Sequence, residues 1–233
     1  GVAAVNAGGQ TIHSFCHFPA RPIGFDNVVT LNRDIPSHAE KMAVIARAKY
    51  IIIDEISMVR ADLMDQVYWF FIKNFKRPFA GKKLIMVGDL SQLPPVVTDK
   101  DRDIIRARYR SEFFFDAKCW QSEVSGGYGQ SFRTYKLTKI HRQSDPHFIG
   151  ILNKIRTNTI MPWDLQEFSE KLTATAKLVP TDGILVCTTN SIADHANIEM
   201  MRRIETEEIK LRGDIIGEFP MKDINIDQEI ILK

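Results

Sequence analysis

Residues 50–59, Tyr-Ile-Ile-Ile-Asp-Glu-Ile-Ser-Met-Val, carry an unbroken aliphatic run that stops at two adjacent carboxylates, Asp54 and Glu55. Apolar residues without alternation suit a strand buried on both faces, the condition of parallel sheets covered by helices. Such sheets place their ligands beyond the carboxyl ends of the strands, which is where Asp54 and Glu55 stand. A carboxylate there can hold magnesium through water, and a neighbour can orient and deprotonate an attacking water. Successive side chains at a strand end diverge, so the two carboxylates cannot duplicate one role. A capped, solvated strand end accounts for Asp-Glu alone equally well.

A second apolar run, Lys83-Leu84-Ile85-Met86-Val87-Gly88, ends at Asp89 and leads into Ser91-Gln92-Leu93-Pro94-Pro95-Val96. Gly88 permits a close backbone approach, and the prolines stiffen the exit from the sheet. The Gln92 amide is thereby expected at the same sheet edge as Asp54 and Glu55, placed to sense a phosphate. As structure alone, Pro94-Pro95 is a loop stop. Between the strands, Arg60 to Phe75 bears Leu63, Met64, Val67, Tyr68, Phe71, Ile72 and Phe75 at helical spacing with one wide buried face. Strand, helix, strand argues for a parallel α/β crossover unit, with the helix aromatics as core rather than a base-stacking platform.

The second half reads as a new domain beginning near Tyr135, after a break at Ser125-Gly126-Gly127-Tyr128-Gly129-Gln130. Asp145-Pro146 is a cap and first helical residue for a helix with Phe148, Ile151, Leu152 and Ile155 on its buried face. Gly183 to Cys187 reads as a strand with Thr188, Thr189 and Asn190 at its carboxyl end, and Ser191 to Leu211 as a long helix. Asn190 is expected to cap that helix, while the closing Glu229-Ile230-Ile231-Leu232-Lys233 reads as a further strand.

Three segments now resemble one known family. They are Gly1 to Phe15 with Gly8-Gly9-Gln10-Thr11-Ile12-His13-Ser14, then Asp54-Glu55-Ile56-Ser57-Met58, then Gly88-Asp89-Leu90-Ser91-Gln92-Leu93-Pro94-Pro95-Val96. In order and content they look like motifs of the petite-integration-frequency helicases, superfamily-one DNA helicases that are related to RecD and move 5′ to 3′. The resemblance continues through Leu137–Arg156 and Gly183–Asn197. It implies a P-loop NTPase, RecA-like parallel sheet flanked by helices. Residues 1–134 would be the remainder of the first domain and 135–233 the start of a second.

By resemblance, Asp54 coordinates magnesium through water, Glu55 is the general base, and Gln92 contacts the terminal phosphate of ATP. Arg142 would be an arginine finger supplied from the domain junction; a surface or ion-paired arginine is its ordinary reading. Thr11, His13 and Ser14, the Pro94-Pro95 loop, and Thr188 and Asn190 of the second domain would contact single-stranded DNA. His141 departs from the aromatic that commonly precedes this arginine, and Leu90 from a frequent phenylalanine. Neither change removes a chemical group. A metal site at His13, Cys16 and His17 is disfavoured because no second ligand cluster stands at zinc-like spacing, and His17 reads as structural.

A net charge of +2 is too small to advertise nucleic-acid binding globally. The basic clusters Lys73, Lys76, Arg77, Lys82, Lys83 and Arg102, Arg106, Arg108, Arg110 are explained as well by solvated faces, and Asp99 to Arg110 reads as a charged excursion. No apolar stretch is long enough to span a bilayer. Three scattered cysteines, Cys16, Cys119 and Cys187, are the usage of a reducing intracellular compartment.

A P-loop needs a glycine-rich turn leading to Gly-Lys-Ser or Gly-Lys-Thr at a helix start, and the one Gly-Lys pair, Gly81-Lys82, precedes a strand. Because Gly1 lies inside the motif that in the family follows the P-loop, the reading is a fragment lacking that loop and the C-terminal motifs. Its parent would be an ATP-dependent helicase, using ATP and magnesium, that acts on single-stranded DNA and duplex junctions in repair, recombination or telomere maintenance. The isolated chain is expected to be inactive and to self-associate through an exposed sheet edge. The alternatives are a non-catalytic single-stranded-DNA-binding module and an adaptor in which the motifs are relics. A binding module would need none of Asp54, Glu55, Gln92 and Arg142.

Overall fold

The computed structural model describes residues 4, 8–19, 21–121, 132–176, 184–207, 209–212 and 229–232. These fall into two compact units, Gly1–Met161 and Pro162–Lys233. The first holds α1 (Ile12–Cys16), α2 (Pro36–Arg47), β1 (Tyr50–Ile53), α3 (Ala61–Phe75), β2 (Lys83–Met86), α4 (Asp99–Arg108) and α5 (Pro146–Arg156). Strands β1 and β2 pair in parallel from Tyr50↔Lys83 to Ile53↔Met86. The strand–helix–strand unit read from the sequence is therefore present, and Val87 N–H donating to Ile53 O at 2.9 Å carries the pairing one residue further.

The aliphatic run of β1 is covered on one face only. Ile53 is buried, and Ile51, Leu84 and Met86 pack against the core, whereas Ile52 is 64% exposed and Tyr50 and Ile85 also face solvent. Side chains alternate along a strand, so only one set can reach the core around α3. Among the described residues nothing buries the other set, which corrects the two-faced burial expected of this run.

Helix α3 is the centre of the first unit. Its buried residues, among them Met64, Val67, Tyr68, Phe70 and Phe71, lie on more than one side, unlike the single stripe of a surface helix. Phe70, which the one-face reading left out, meets Phe15 and Phe18 with ring centroids 6.2 and 6.3 Å away. Phe71 meets Phe79 at 5.6 Å, and Phe79 stacks on Trp120 at 6.1 Å. The helix aromatics are core, as their spacing suggests. At its C-terminal end Lys73 Nζ donates to the carbonyls of Asp26 and Val28 at 2.9 and 2.7 Å, and Asn74 takes the Leu31 N–H at 2.6 Å. Lys76 and Lys82 likewise donate to backbone carbonyls, so this part of the basic cluster ties chain to chain.

The charged stretch after the proline loop is a helix, α4, anchored by buried Ile105 and Asp101. In the second unit stand α6 (Pro162–Ala176), α7 (Asn190–Arg202) and the antiparallel pair β3 (Ile209–Arg212) and β4 (Glu229–Leu232). The strand read at the C-terminal end is present as β4. Two other readings are corrected. The helix from Ser191 stops at Arg202 because Ile209–Arg212 pairs as β3, and Ile184 to Cys187 forms no strand among the described residues, its Ile184 and Val186 being exposed. The break at Ser125–Gln130, most of Gly1–Ala7, and Gly183 lie outside the described residues.

Asp65, on α3 and 1% exposed, fastens the end of the first unit's core. It accepts hydrogen bonds from Tyr109 Oη and Cys119 N at 2.8 Å and from Lys118 N at 3.3 Å. Burial nevertheless pushes its pKa up against those donors. Removing the acceptor strands the buried Cys119 N–H and the part-buried Tyr109 hydroxyl and Lys118 N–H. Asp65→Ala is expected to lower unfolding stability by about 2–4 kcal/mol, read as a lower urea midpoint at unchanged slope. An unchanged midpoint would show that water replaces the carboxylate.

Candidate functional site

The site begins where β1 stops. Asp54 Oδ1 accepts the Glu55 N–H at 2.9 Å, and Glu55 turns into the left-handed region at φ 52°, ψ 43°. A short 3-10 turn, Ile56–Met58, follows, with Ile56 and Ser57 buried beneath it while Asp54 and Glu55 stay exposed. Left-handed backbone costs a residue with a Cβ roughly 1–2 kcal/mol. Here it is enforced from β2: Ile56 N–H donates to Val87 O at 2.9 Å. Gly88 lies so close that a Cβ on it would stand 2.9 Å from Ile56 Cγ2, 3.0 Å from Ile56 N and 3.1 Å from Ser57 N. The close approach inferred for Gly88 is thus to the turn that carries the two carboxylates.

The exit of β2 is a second turn built on Asp89. Gln92 N–H donates to Asp89 O at 3.0 Å, Ser91 N–H to Asp89 Oδ1 at 3.0 Å, and the Gln92 amide approaches Asp89 Oδ2 at 3.5 Å. From α5, Arg156 Nη2 donates to Asp89 Oδ1 at 3.0 Å. The Ser91 N–H holds the Asp89 carboxyl below its usual pKa against the opposing desolvation, and the Arg156 charge and the Gln92 amide add to the lowering. Gln92 is thereby held at the exit of β2, the strand that pairs with β1.

Beyond Gln92 the chain runs outward with Leu93, Pro94 and Val96 exposed and Pro95 buried. Arg60 fixes this run. Its guanidinium makes a two-pronged pair with Asp62 at 2.8 Å on each arm, reaches Asp101 at 2.8 Å, and approaches Val96 O at 3.5 Å. The opening segment comes to the same corner. Thr11 Oγ1 caps α1 by accepting the Ser14 N–H at 3.2 Å. Desolvation and then the Arg60 charge lower the pKa of His13, partly opposed by Asp62, although its ring keeps a solvent-facing side. The lowered pKa favours the neutral form of the His13 ring. His17 closes α1 in the left-handed region, and its Nε2 lies 2.8 Å from Lys41 Nζ, which is a structural duty.

Arg142 is exposed and makes no hydrogen bond or ion pair among the described residues. Directly after it, Gln143 Oε1 accepts the N–H groups of Ser144 and Asp145, and Asp145 caps α5 through His147 N and Phe148 N, with Pro146 in the first turn as read. In the second unit the cap of α7 is Thr189, whose hydroxyl accepts the Ile192 N–H at 3.4 Å. Asn190 is already helical, which corrects its reading as the cap; Thr188 and Asn190 flank that capping residue. The fold thus gathers Asp54, Glu55, Asp89 and Gln92 at one edge, and Thr11 to Ser14 with the proline loop around Arg60. Sequence reasoning missed Arg156 as the partner of Asp89, 67 residues away, and Arg60 as the tie between α3, α4 and the loop.

The contact of Gly88 with the backbone of Ile56 and Ser57, as well as with the Ile56 side chain, sets an expectation. Gly88→Ala should cost about 1–3 kcal/mol, measured by urea unfolding. An unaltered midpoint would mean that the two turns are not in register.

Residues 1–163 match the family described as PIF1-like helicase. The chain is 29% identical over 233 residues, covering 99% of itself and 29% of the relative, to the ATP-dependent DNA helicase PIF1 of Emericella nidulans. It is 34% identical over 158 residues to the ATP-dependent DNA helicase RRM3 of Saccharomyces cerevisiae, covering 67% of itself and 20% of that protein. Among solved structures, one of two coordinating Pif1 helicases that unwind forked double-stranded DNA aligns with TM-score 0.79 and 32% identity over all of this chain and 53% of the other. Pif1 helicase from Bacteroides in complex with ADP-AlF3 and single-stranded DNA aligns with TM-score 0.73 and 30% identity, over 52% of that chain. The chain spans less than a third of these curated relatives and about half of the solved chains. The architecture is the RecA-like, P-loop type of fold in partial form, and the chain belongs to the PIF1-like helicase family.

Proposed function

We propose that this chain is the hydrolysis-switch portion of an ATP-dependent DNA helicase that moves 5′ to 3′ on single-stranded DNA and opens duplex junctions. One observation carries the reading most strongly: Glu55, exposed at a strand end, is held in a strained left-handed turn that Val87 and Gly88 enforce. Strain of this kind persists where the surroundings over-determine it and concentrates at functional sites. A merely solvated strand end would not require it.

Magnesium fits the residues present. Asp54 has one oxygen engaged by the Glu55 N–H, and its other oxygen makes no hydrogen bond among the described residues. Magnesium bound to a nucleotide keeps several waters and takes one or two carboxylates, so a single exposed Asp54 suits it. When bound, the ion neutralises charge on the phosphates. Glu55 orients a water and takes its proton, while Gln92, held by Asp89, senses the terminal phosphate. Arg142, exposed and unpaired among the described residues, supplies positive charge to the transferring phosphoryl group.

On this proposal the first RecA-like domain ends near residue 134 and Tyr135 opens the second. Thr11, His13 and Ser14 with Pro94 and Pro95 form the track for single-stranded DNA, and Thr188 and Asn190 contribute from the second domain. Arg60, which bonds Val96 O after the prolines and whose charge reaches His13, lies between the first two segments and supports their use as one surface. The protein would act where the genome is, in the nucleoid, nucleus or mitochondrion according to its source, in repair, recombination or telomere upkeep. Through exposed Ile52 and Ile85 the chain would associate with itself.

The test is DNA-stimulated ATP hydrolysis by the complete protein. Glu55→Gln is expected to lower turnover by about 10²–10⁴-fold while single-strand binding persists. Full turnover in that variant, or robust turnover by the isolated chain that survives Glu55→Gln, would contradict the assignment.

A further inference from the structure

The two ends of α5 touch different parts of the machinery. At its start, Gln143 and Asp145 lock the backbone that immediately follows Arg142. At its finish, Arg156 Nη2 reaches Asp89 Oδ1 at 3.0 Å. The helix has eleven residues, which at 1.5 Å per residue makes a rod of about 16 Å. A guanidinium in a last helical turn is also favourably placed against the helix dipole.

Asp89 distributes its two oxygens unequally. Oδ1 takes both the Ser91 N–H and Arg156, while Oδ2 is approached by the Gln92 amide alone at 3.5 Å. The Gln92 side chain can therefore leave for a phosphate without freeing the carboxylate, which Ser91 and Arg156 continue to hold. The pair is partly exposed, 45% for the Arg156 side chain and 25% for Asp89. Exposed ion pairs contribute little to stability, so this one does not hold the fold together. What it determines is where the Gln92 turn stands relative to α5.

We propose that Arg156 is a positioning residue: through Asp89 it ties the Gln92 turn to α5, so that the phosphate-sensing amide and the Arg142 finger at the other end of that helix move as one body. This rests on the roles given above to Gln92 and Arg142. The sequence-distant Arg156–Asp89 pair thus converts occupancy of the phosphate site into a displacement of the segment that begins near Tyr135.

The experiment compares Arg156→Ala, Arg156→Lys, Asp89→Asn and the Arg156→Ala/Asp89→Asn double variant in the complete protein. Steady-state ATP hydrolysis with saturating single-stranded DNA is the readout, and Glu55→Gln serves as a control. Arg156→Ala is expected to lower kcat about tenfold with KM for ATP and DNA affinity within about twofold. Arg156→Lys should recover most of the loss, and the double variant should be no worse than Asp89→Asn alone. Circular dichroism and the urea midpoint of each variant separate misfolding from mispositioning; were Arg156→Ala unfolded, the pair would hold the fold and the proposal would fall. An unchanged kcat, an effect confined to KM, or additive losses in the double variant would overturn it while a dead Glu55→Gln leaves the functional reading standing. If Glu55→Gln retains full turnover, that reading fails and this inference with it.

Discussion

Everything that makes this sheet edge chemical depends on one close contact, Gly88 against the side chain and backbone of Ile56 and the backbone of Ser57. It brings the exits of β1 and β2 within van der Waals distance, and the Ile56 N–H to Val87 O hydrogen bond fixes their register. A side chain at position 88 would push the exits apart. With it absent, Glu55 is forced into left-handed backbone, and Asp54 and Glu55 emerge beside the turn that carries Gln92. The two motifs are separated in sequence by all of α3, yet they form one structural unit.

That unit can tolerate strain because α3 beneath it is so thoroughly buried. Phe70 faces the opening segment, Phe71 and Tyr68 face Phe79, and Asp65 collects donors from Tyr109, Lys118 and Cys119. Burial of such side chains contributes about 1.5–3 kcal/mol each, which exceeds the cost of one left-handed residue. Arg60, at the helix start, transmits the same rigidity outward to the proline loop and α4. The surfaces assigned to nucleotide and to DNA therefore share one scaffold.

The parallel unit was legible in the sequence because its signals are local: two apolar runs, a helical period between them, and carboxylates at the run ends. Asp145-Pro146 was legible for the same reason, since a cap and its first turn are adjacent. Arg156–Asp89 and Arg60–Asp101 were not, because a salt bridge between residues 67 or 41 positions apart leaves no periodicity. The one-sided exposure of Ile52 was also hidden, since an unbroken aliphatic run reports hydrophobicity and not how many layers cover it. Thr189 displaced Asn190 as cap by a single residue, within the uncertainty with which composition places a helix end. The family's motifs announced Glu55 by identity, but its left-handed backbone follows from Gly88 and could only be seen in three dimensions.

The central claim is that Glu55 occupies a conformation unfavourable to folding because its carboxylate is needed there. Glycine accepts left-handed backbone without steric cost, so Glu55→Gly separates the two. Urea unfolding of the chain and ATP turnover of the complete protein, measured on this one substitution, test the claim most directly. Stability should be unchanged or raised by up to about 1 kcal/mol while turnover disappears. A loss of stability beyond about 1 kcal/mol, or turnover that survives without the carboxylate, would contradict it.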